Sequence, residues 1–312
     1  MKHPIFEKRK IFDSPEPAKR TVWGPVLPFL AIIFLFMGQI ITLVPVFEAG
    51  LIAEDDLEKY PNIIYMLFAP FSAIILIVVL LVRFFEKRPL ASTGVVFSGS
   101  PFRDFRVGYG YGLLMALLIV CGIWGLGGYE LESAARFQLS DSIPLVILLF
   151  GFMVQSGAEE YLFRGWLFSR LAERYSVFVG ILVNAVIFVL VHLPGVDFSN
   201  TSTLMLVLGI TMTMLFSIFL SLIVLNQKSI WGAAAWHAAW NWFFINGFGL
   251  ATTGIELGLN PLIVDLKAVE SAPLWLSGGL DGPEGSILAT IVLAIGCVLV
   301  AKKKMFKTLI SA

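Results

Sequence analysis

Two adjacent carboxylates and an arginine lie inside one of the most apolar stretches of the chain. Glu159, Glu160 and Arg164 occur within GAEEYLFRGW, residues 157–166, with apolar sequence on both sides. Placing one ionisable group at the middle of a helix in lipid costs about 2.5–3.5 kcal/mol on insertion scales. Groups of this kind usually face a bundle interior and mark a functional site, so this segment is the first candidate for chemistry.

Helical geometry separates the roles of the two carboxylates. Glu160 and Arg164 are four residues apart, so they meet on one helix face and can form an ion pair. Because arginine stays protonated, it keeps Glu160 ionised. Glu159 is turned by about 100° from that face and escapes this partner. It is therefore the carboxylate that is available as a general base.

Two further apolar segments carry polar groups at helical spacing. Asn184, Phe188 and His192 form a stripe at i, i+4 and i+8, and His237 and Asn241 are one helical turn apart. The chain has three histidines, and two of them lie in these segments. We interpret Asn184 as an interhelical hydrogen-bond partner, and the two histidines and Asn241 as members of one site.

A glutamate, two histidines and an asparagine in one water-accessible cavity suit peptide hydrolysis. Glu159, with or without help from a histidine, would take a proton from water. The other imidazole and the Asn241 amide would donate hydrogen bonds to the tetrahedral oxyanion. The residues leave a second chemistry open. Glu159, His192 and His237 could instead hold a divalent metal such as zinc, which would then activate the water.

The composition predicts an integral, multi-pass membrane protein. Hydrophobic residues make up 58% and charged residues 14% of the 312 residues, against roughly 45–50% and about 25% in soluble domains. A membrane-crossing helix needs about 20 mostly apolar residues. We therefore expect an all-α bundle of about eight helices that forms a single membrane domain over residues 1–312, with residues 143–250 as its catalytic core. The eight predicted spans are residues 24–47, 62–85, 107–128, 143–168, 176–195, 203–225, 230–250 and 286–301.

The distribution of basic residues predicts the orientation. Summed over alternate connections, one side of the membrane receives 19 lysines and arginines and the other side receives 3. Since basic residues favour the cytoplasmic side, both termini are expected in the cytoplasm. Residues 1–22 then form a basic cytoplasmic arm, and residues 252–285 form an extracytoplasmic loop. The expected surroundings are the lipid bilayer of a bacterial plasma membrane, and no nucleic-acid partner is expected.

The fourth and fifth predicted spans form a hairpin with its tip near Arg174 and Tyr175. Counted from this tip, Glu159 lies 15 residues away and His192 lies 17 residues away. At 1.5 Å per residue their depths differ by only ~3 Å, so the two side chains are expected to face each other. Alanines around His237 would let a neighbouring helix approach that segment closely. The same segment carries four tryptophans that are expected to pack or anchor it, namely Trp231, Trp236, Trp240 and Trp242.

Together and in this order, the three polar segments resemble a family signature. EExxxR is present as Glu159–Arg164, FxxxH as Phe188–His192, and HxxxN as His237–Asn241. Over residues 143–250 the chain is similar to the CPBP family, which includes the CAAX-type proteases and the bacteriocin-processing enzymes also called Abi proteins. The resemblance implies an intramembrane endopeptidase, often classed as a metalloprotease, whose substrate is a membrane-associated or lipidated protein or peptide.

The resemblance also implies a role for each motif position. Glu159 would be the catalytic glutamate and His192 its partner, while His237 and Asn241 would hold the oxyanion or position the water. The family leaves the cofactor open, because a glutamate-dependent mechanism without metal is proposed for the related prenyl endoprotease, and a divalent metal such as zinc is the alternative. The positions expected to support the site are Glu160, Arg164 and Phe188.

Two other classes of function compete with the protease. A membrane scaffold or bacteriocin-immunity protein would keep the site but act by binding a partner. A transporter would use the buried carboxylates to carry protons. The chain shows no internal repeat of the kind that many transporters contain, which counts against the transporter.

Overall fold

Helices account for almost all of the regular structure. The computed structural model describes residues 4–12, 20–97, 100–133, 138–255 and 257–310. Helices α4 and α5 are joined by π-helical turns over Tyr161–Phe168. The two strands are β1 (Tyr129–Ser133) and β2 (Asp265–Ala268). The α-helices are α1 (Leu27–Glu48), α2 (Ile63–Leu80), α3 (Pro101–Gly125), α4 (Ser142–Glu160), α5 (Ser169–Arg174), α6 (Val177–His192), α7 (Thr203–Gln227), α8 (Trp231–Phe248), α9 (Leu274–Ser277) and α10 (Ile287–Ile310).

Seven helical stretches in the described residues are long and apolar enough to cross a membrane. Their outer surfaces carry large apolar side chains such as Phe29, Ile40 and Leu76, which are more than half exposed. Lipid favours such a surface, and helices satisfy their backbone hydrogen bonds internally. The predicted all-α, multi-pass membrane fold is confirmed. The seven stretches are Gly24–Glu48, Ile63–Phe85, Pro101–Gly125, Leu139–Arg174, Val177–Gly195, Thr203–Gln227 and Gly279–Lys302.

The remaining predicted span, α8, is enclosed by protein. Of its 18 residues, 16 are buried, and the helix packs mainly against α3 and α4. Its histidine, asparagines and small residues lower its hydropathy, but a helix in this position needs no apolar surface towards lipid.

The pairing of the two strands favours a membrane crossing by α8 as well. Strand β1 follows α3 and β2 follows α8, yet the two strands pair antiparallel, with Tyr129 opposite Ala268. Asn260 Nδ2 donates to Asp141 Oδ2 at 3.2 Å and joins the same two connections. Connections on one side of a membrane are separated by an even number of crossings. Three crossings lie between the two strands before α8 is reached: the continuous helix α4–α5, then α6, then α7. An even number therefore requires α8 as the fourth crossing.

The opposite side of the bundle gathers the N-terminal segment and the turn between α5 and α6. Arg9 N donates to Ala172 O at 3.0 Å, and Val177 N donates to Glu7 O at 3.2 Å. The basic residues predict that this side is cytoplasmic. Of the expected arm and loop, residues 1–3, 13–19 and 256 lie outside the described residues.

The third and fourth predicted spans begin or end several residues away from the bounds of the observed helices. Helix α3 begins six residues before the predicted start of the third span, with Pro101 in its first turn, where no backbone donor is needed. The fourth span runs from Leu139 to Arg174, which is 36 residues. At 1.5 Å per residue it is about 54 Å long, well beyond a ~30 Å hydrocarbon core. At least one end of this helix therefore lies beyond the hydrocarbon core.

Small residues bring α3 and α8 into close contact. A Cβ at Gly108 would overlap the backbone of Gly232, and a Cβ at Gly112 would overlap the backbone of Trp236. The two helices approach through their backbones, which is the close approach that the alanines of α8 predict.

Gly112→Val is expected to destabilise the protein by about 1–3 kcal/mol, because the new side chain has to displace α8. Thermal unfolding of the purified protein in detergent measures the loss. Gly110→Val is the matched control, because Gly110 is exposed and no atom lies within 4 Å of an added Cβ. Equal melting temperatures for the two variants would contradict the close contact between α3 and α8.

Candidate active site

The first motif lies where the fourth membrane helix changes from α to π geometry. Helix α4 ends at Glu160, and the side chains of the π-helical turns Tyr161–Phe168 are all buried. Single π-helical turns inside α-helices are frequent at functional sites. Here the change follows directly after the two carboxylates, so Glu159 and Glu160 stand at the end of a regular helix inside the bundle.

Glu160 is the centre of a buried ionic cluster. Its Oε1 accepts a hydrogen bond from Arg164 Nη1 at 2.8 Å, and Nδ1 of His237 lies 3.0 Å from the same oxygen. The Glu160 and Arg164 side chains are fully buried, and that of His237 is 4% exposed. An ionised Glu160 neutralises Arg164, while the Nδ1–H of His237 donates to the carboxylate and leaves Nε2 free. The predicted pair of Glu160 and Arg164 is confirmed, and the structure adds His237 to it.

Glu159 belongs to a second hydrogen-bond chain. Gln155 Nε2 donates to Glu159 Oε1 at 2.6 Å, and Asn241 Nδ2 donates to Gln155 Oε1 at 3.1 Å. The other carboxylate oxygen, Oε2, is buried and has no hydrogen-bond partner among the described residues. A buried polar atom without a partner costs free energy unless water or a substrate reaches it. Glu159 therefore has one oxygen held in place and one available to react.

Gln155 is a residue of this site that the three sequence motifs do not contain. This residue stands one helical turn before Glu159 on the same face of α4, and that spacing is the signal that would have found it. A glutamine amide carries both donors and an acceptor, so one side chain links an amide on α8 to a carboxylate on α4.

His192 stands at the end of α6 and is partly exposed. Its Nδ1 lies 2.7 Å from the carbonyl oxygen of Phe188, one turn back in the same helix. Because a carbonyl oxygen only accepts, Nδ1 carries the proton and Nε2 keeps its lone pair in the neutral ring. His192 thus offers a proton acceptor at an accessible position.

Phe188 joins the three motifs through ring contacts. The Arg164 guanidinium lies over its ring at 4.3 Å from the centroid, and the His192 ring centroid is 4.5 Å away. Phe188 also stacks on Phe216 at 5.9 Å, and the Phe216 ring meets the His237 ring edge-on at 4.8 Å. A ring face over a guanidinium stabilises a charge that is otherwise incompletely paired. These contacts place Phe188 between Arg164 and His192, and its supporting role stays a prediction.

Hydrogen bonds divide the predicted site residues into three groups: Glu160 with Arg164 and His237, Glu159 with Asn241 through Gln155, and His192 with Phe188. His237 contacts Glu160 and not Glu159, and within the described part of the chain neither imidazole forms a hydrogen bond with Glu159. Asn184 Nδ2 donates to Ser217 Oγ on α7 at 3.2 Å, which is the interhelical contact expected for it.

Each of the three side chains considered as metal ligands uses one polar atom for a protein partner and leaves its second ligand atom without one in the described part of the chain. Glu159 accepts from Gln155, and His237 faces Glu160. His192 directs Nδ1 at its own helix. Across the residues that the structure describes, no three His, Cys, Asp or Glu side chains are grouped so that they could hold a metal ion.

Comparison with known families matches the middle of the chain. Residues 141–243 match the Rce1-like family model, described as type II CAAX prenyl endopeptidase Rce1-like. The matched range begins beside the first residue of α4 and ends within α8, so it contains all three motifs. No curated protein matches the chain.

Glu160→Ala is expected to destabilise the protein by about 3–5 kcal/mol, because it leaves Arg164 buried without a counter-charge. Unfolding in detergent measures the loss, and the double variant Glu160→Gln/Arg164→Met should recover much of it. Asp56→Ala is the control, since it breaks an exposed ion pair of 2.8 Å with Lys59 that is worth roughly 0–1 kcal/mol. Equal losses for Glu160→Ala and Asp56→Ala would show that the buried cluster does not stabilise the fold.

Proposed function

We propose that this chain is an intramembrane endopeptidase of the CAAX type, on the premise that residues 141–243, which contain all three motifs, match the Rce1-like family model. Its substrate would be a membrane-associated or lipidated protein or peptide. The observation that carries the proposal is the state of Glu159, whose Oε1 is bound by Gln155 while Oε2 is buried and free. A carboxylate held in this way can take a proton from water without first breaking a bond to the protein.

The reaction begins with a water molecule held between Glu159 Oε2 and His192 Nε2. Both atoms are acceptors, so they bind the two water protons and leave a lone pair of the water oxygen directed at the peptide carbonyl carbon. Glu159 takes one proton as the new C–O bond forms. The hydrogen bond from His192 Nδ1 to Phe188 O keeps the imidazole in the tautomer that this step needs.

The carbonyl oxygen becomes an oxyanion and requires hydrogen-bond donors. The second N–H of the Asn241 amide supplies one of them. His237 supplies another from Nε2 when its ring carries both protons, a form that Glu160 stabilises by accepting from Nδ1. Each such donor is worth about 2.7–4 kcal/mol where it has been tested in other enzymes. Glu159 then passes its proton to the leaving amine nitrogen, the C–N bond breaks, and the carboxylate is again ionised.

The position of the site favours a substrate that is itself held at the membrane. Glu159, Glu160 and His237 are buried between membrane-crossing helices, and His192 is partly exposed. A lipidated or membrane-anchored peptide is already concentrated in the bilayer, so it reaches such a site without leaving the membrane. The charge distribution supports an orientation with both termini in the cytoplasm, as in a bacterial plasma membrane.

Glu159→Gln is expected to lower the cleavage rate by about 10²–10⁴-fold, because glutamine keeps the bond from Gln155 but accepts no proton. The measurement uses enzyme in lipid vesicles with a fluorescence-quenched peptide that ends in a prenylated CAAX sequence. Membrane peptides that accumulate in cells expressing the variant are identified by mass spectrometry.

Glu58→Gln, an exposed acid far from the motifs in the sequence, is the matched control for this experiment and should cleave at the wild-type rate. Wild-type cleavage by Glu159→Gln would contradict its role as the base. A biological activity that survives in Glu159→Gln without any cleavage would favour the scaffold alternative.

Gln155→Leu is expected to lower kcat by roughly 100-fold with little change in KM, because it releases the Glu159 carboxylate from its working orientation. Asn241→Leu breaks the same chain and also removes an oxyanion donor. The double variant should therefore match Asn241→Leu alone, and the three variants should keep similar melting temperatures. If the losses of kcat in the two single variants instead add up in the double variant, Gln155 does not position Glu159 through its bond to Asn241.

A further inference from the structure

A cavity of about 740 Å³ lies on the side of the N-terminal segment, and none of its lining residues belongs to the three motifs. Its walls come from the N-terminal segment, the start of α1, the connection after α2 and the turn between α5 and α6. The charged side chains of the lining are Lys8, Glu86, Arg88, Arg170, Glu173 and Arg174.

The cavity carries an excess of positive charge. Glu86 forms an ion pair with Arg170 at 2.7 Å, and Glu173 forms one with Arg88 at 2.8 Å. Lys8 and Arg174 remain, and both are exposed. Neither forms an ion pair with any residue that the structure describes. An anion that enters the cavity therefore finds two cations whose charge is not neutralised.

Exposed aromatic side chains place this cavity at a membrane–water boundary. Phe6 and Tyr175 line it and are 56% and 39% exposed. Trp23 and Phe178 adjoin lining residues and are 65% and 43% exposed. Aromatic residues concentrate at the level of the lipid headgroups, so the mouth of the cavity lies at that level.

The lining is apolar where it meets the membrane helices. Val22 precedes α1, Leu27 is the first residue of α1, and Val179 lies in the first turn of α6. The Arg174 side chain lies directly against Gly24, where an added Cβ would overlap it. A cation and an apolar wall therefore stand side by side at the entrance of the first span.

We propose that this cavity binds the headgroup phosphate of an anionic phospholipid from the inner leaflet. The phosphate would lie between Lys8 and Arg174, and the glycerol and first acyl carbons would lie against Val22, Leu27 and Val179. Free phosphate offers the same anion but makes no use of the apolar wall. Each basic residue near the membrane surface contributes roughly fivefold to the affinity for an anionic lipid. A lipid bound here ties the N-terminal segment to the hairpin that carries Glu159–Arg164.

The test uses the full chain purified in an uncharged detergent. Native mass spectrometry titrates phosphatidylglycerol, with phosphatidylcholine of the same acyl chains and inorganic phosphate as comparison ligands. Lys8→Gln/Arg174→Gln removes the two unpaired cations. Arg83→Gln/Arg103→Gln removes the same charge from exposed positions outside the lining.

Wild type is expected to bind phosphatidylglycerol at least tenfold more tightly than phosphatidylcholine. The cavity variant should lose roughly 25-fold and the control pair little. Arg174→Lys, which keeps the charge, should bind like wild type, and equal melting temperatures without lipid show that the fold is intact. Equal losses in the two double variants, or equal binding of phosphatidylcholine, would overturn the proposal. Displacement of the lipid by inorganic phosphate at similar concentration would overturn it too, because the site would then take free phosphate.

Discussion

The arrangement of the membrane helices depends on one buried carboxylate. Glu160 accepts hydrogen bonds from Arg164 in its own helix and from His237 on α8. A buried charge is tolerated only when it is paired, and removing one partner typically costs about 3–5 kcal/mol. Helices α4 and α8 therefore cannot slide or rotate against each other without leaving a charge alone. The ionic cluster fixes the relative register of the two helices that carry most of the site.

Helix α8 is also fixed along its length by its tryptophans. Each indole N–H has an acceptor in another part of the chain. The four acceptors lie in the connection between α2 and α3, in α3 itself, in the loop 252–285 and in α4. Glu284 additionally accepts from Thr253 N at 2.6 Å, so the two ends of the loop 252–285 are joined beside α8. A helix fixed in this way holds His237 and Asn241 at constant depth. The four bonds are Trp231 to Val96 O at 2.8 Å, Trp236 to Met115 Sδ at 3.4 Å, Trp240 to Glu284 Oε2 at 3.1 Å and Trp242 to Leu145 O at 3.0 Å.

Two neighbouring carboxylates acquire different roles because their surroundings differ. Glu160 is held by Arg164 and His237, so in the proposed reaction it acts through the imidazole. Glu159 meets no cation at hydrogen-bond distance among the described residues, and a neutral glutamine holds one of its oxygens. Pairs of titratable groups in contrasting environments are a frequent basis for dividing acid–base work between them. The division follows from the 100° rotation between consecutive residues of a helix.

The sequence by itself determined the local part of this structure. Apolar segment length predicted the spans, and helical spacing predicted the pair of Glu160 and Arg164, because both depend on one helix at a time. The tertiary structure decided which carboxylate meets His237, that Gln155 joins Asn241 to Glu159, and that the helix turns from α to π geometry after Glu160. Contacts of this second kind depend on how far each helix is rotated and shifted against its neighbours. This rotation and shift are set by packing over the whole bundle, such as the glycine contact between α3 and α8. The spacing of residues within a single segment does not determine them.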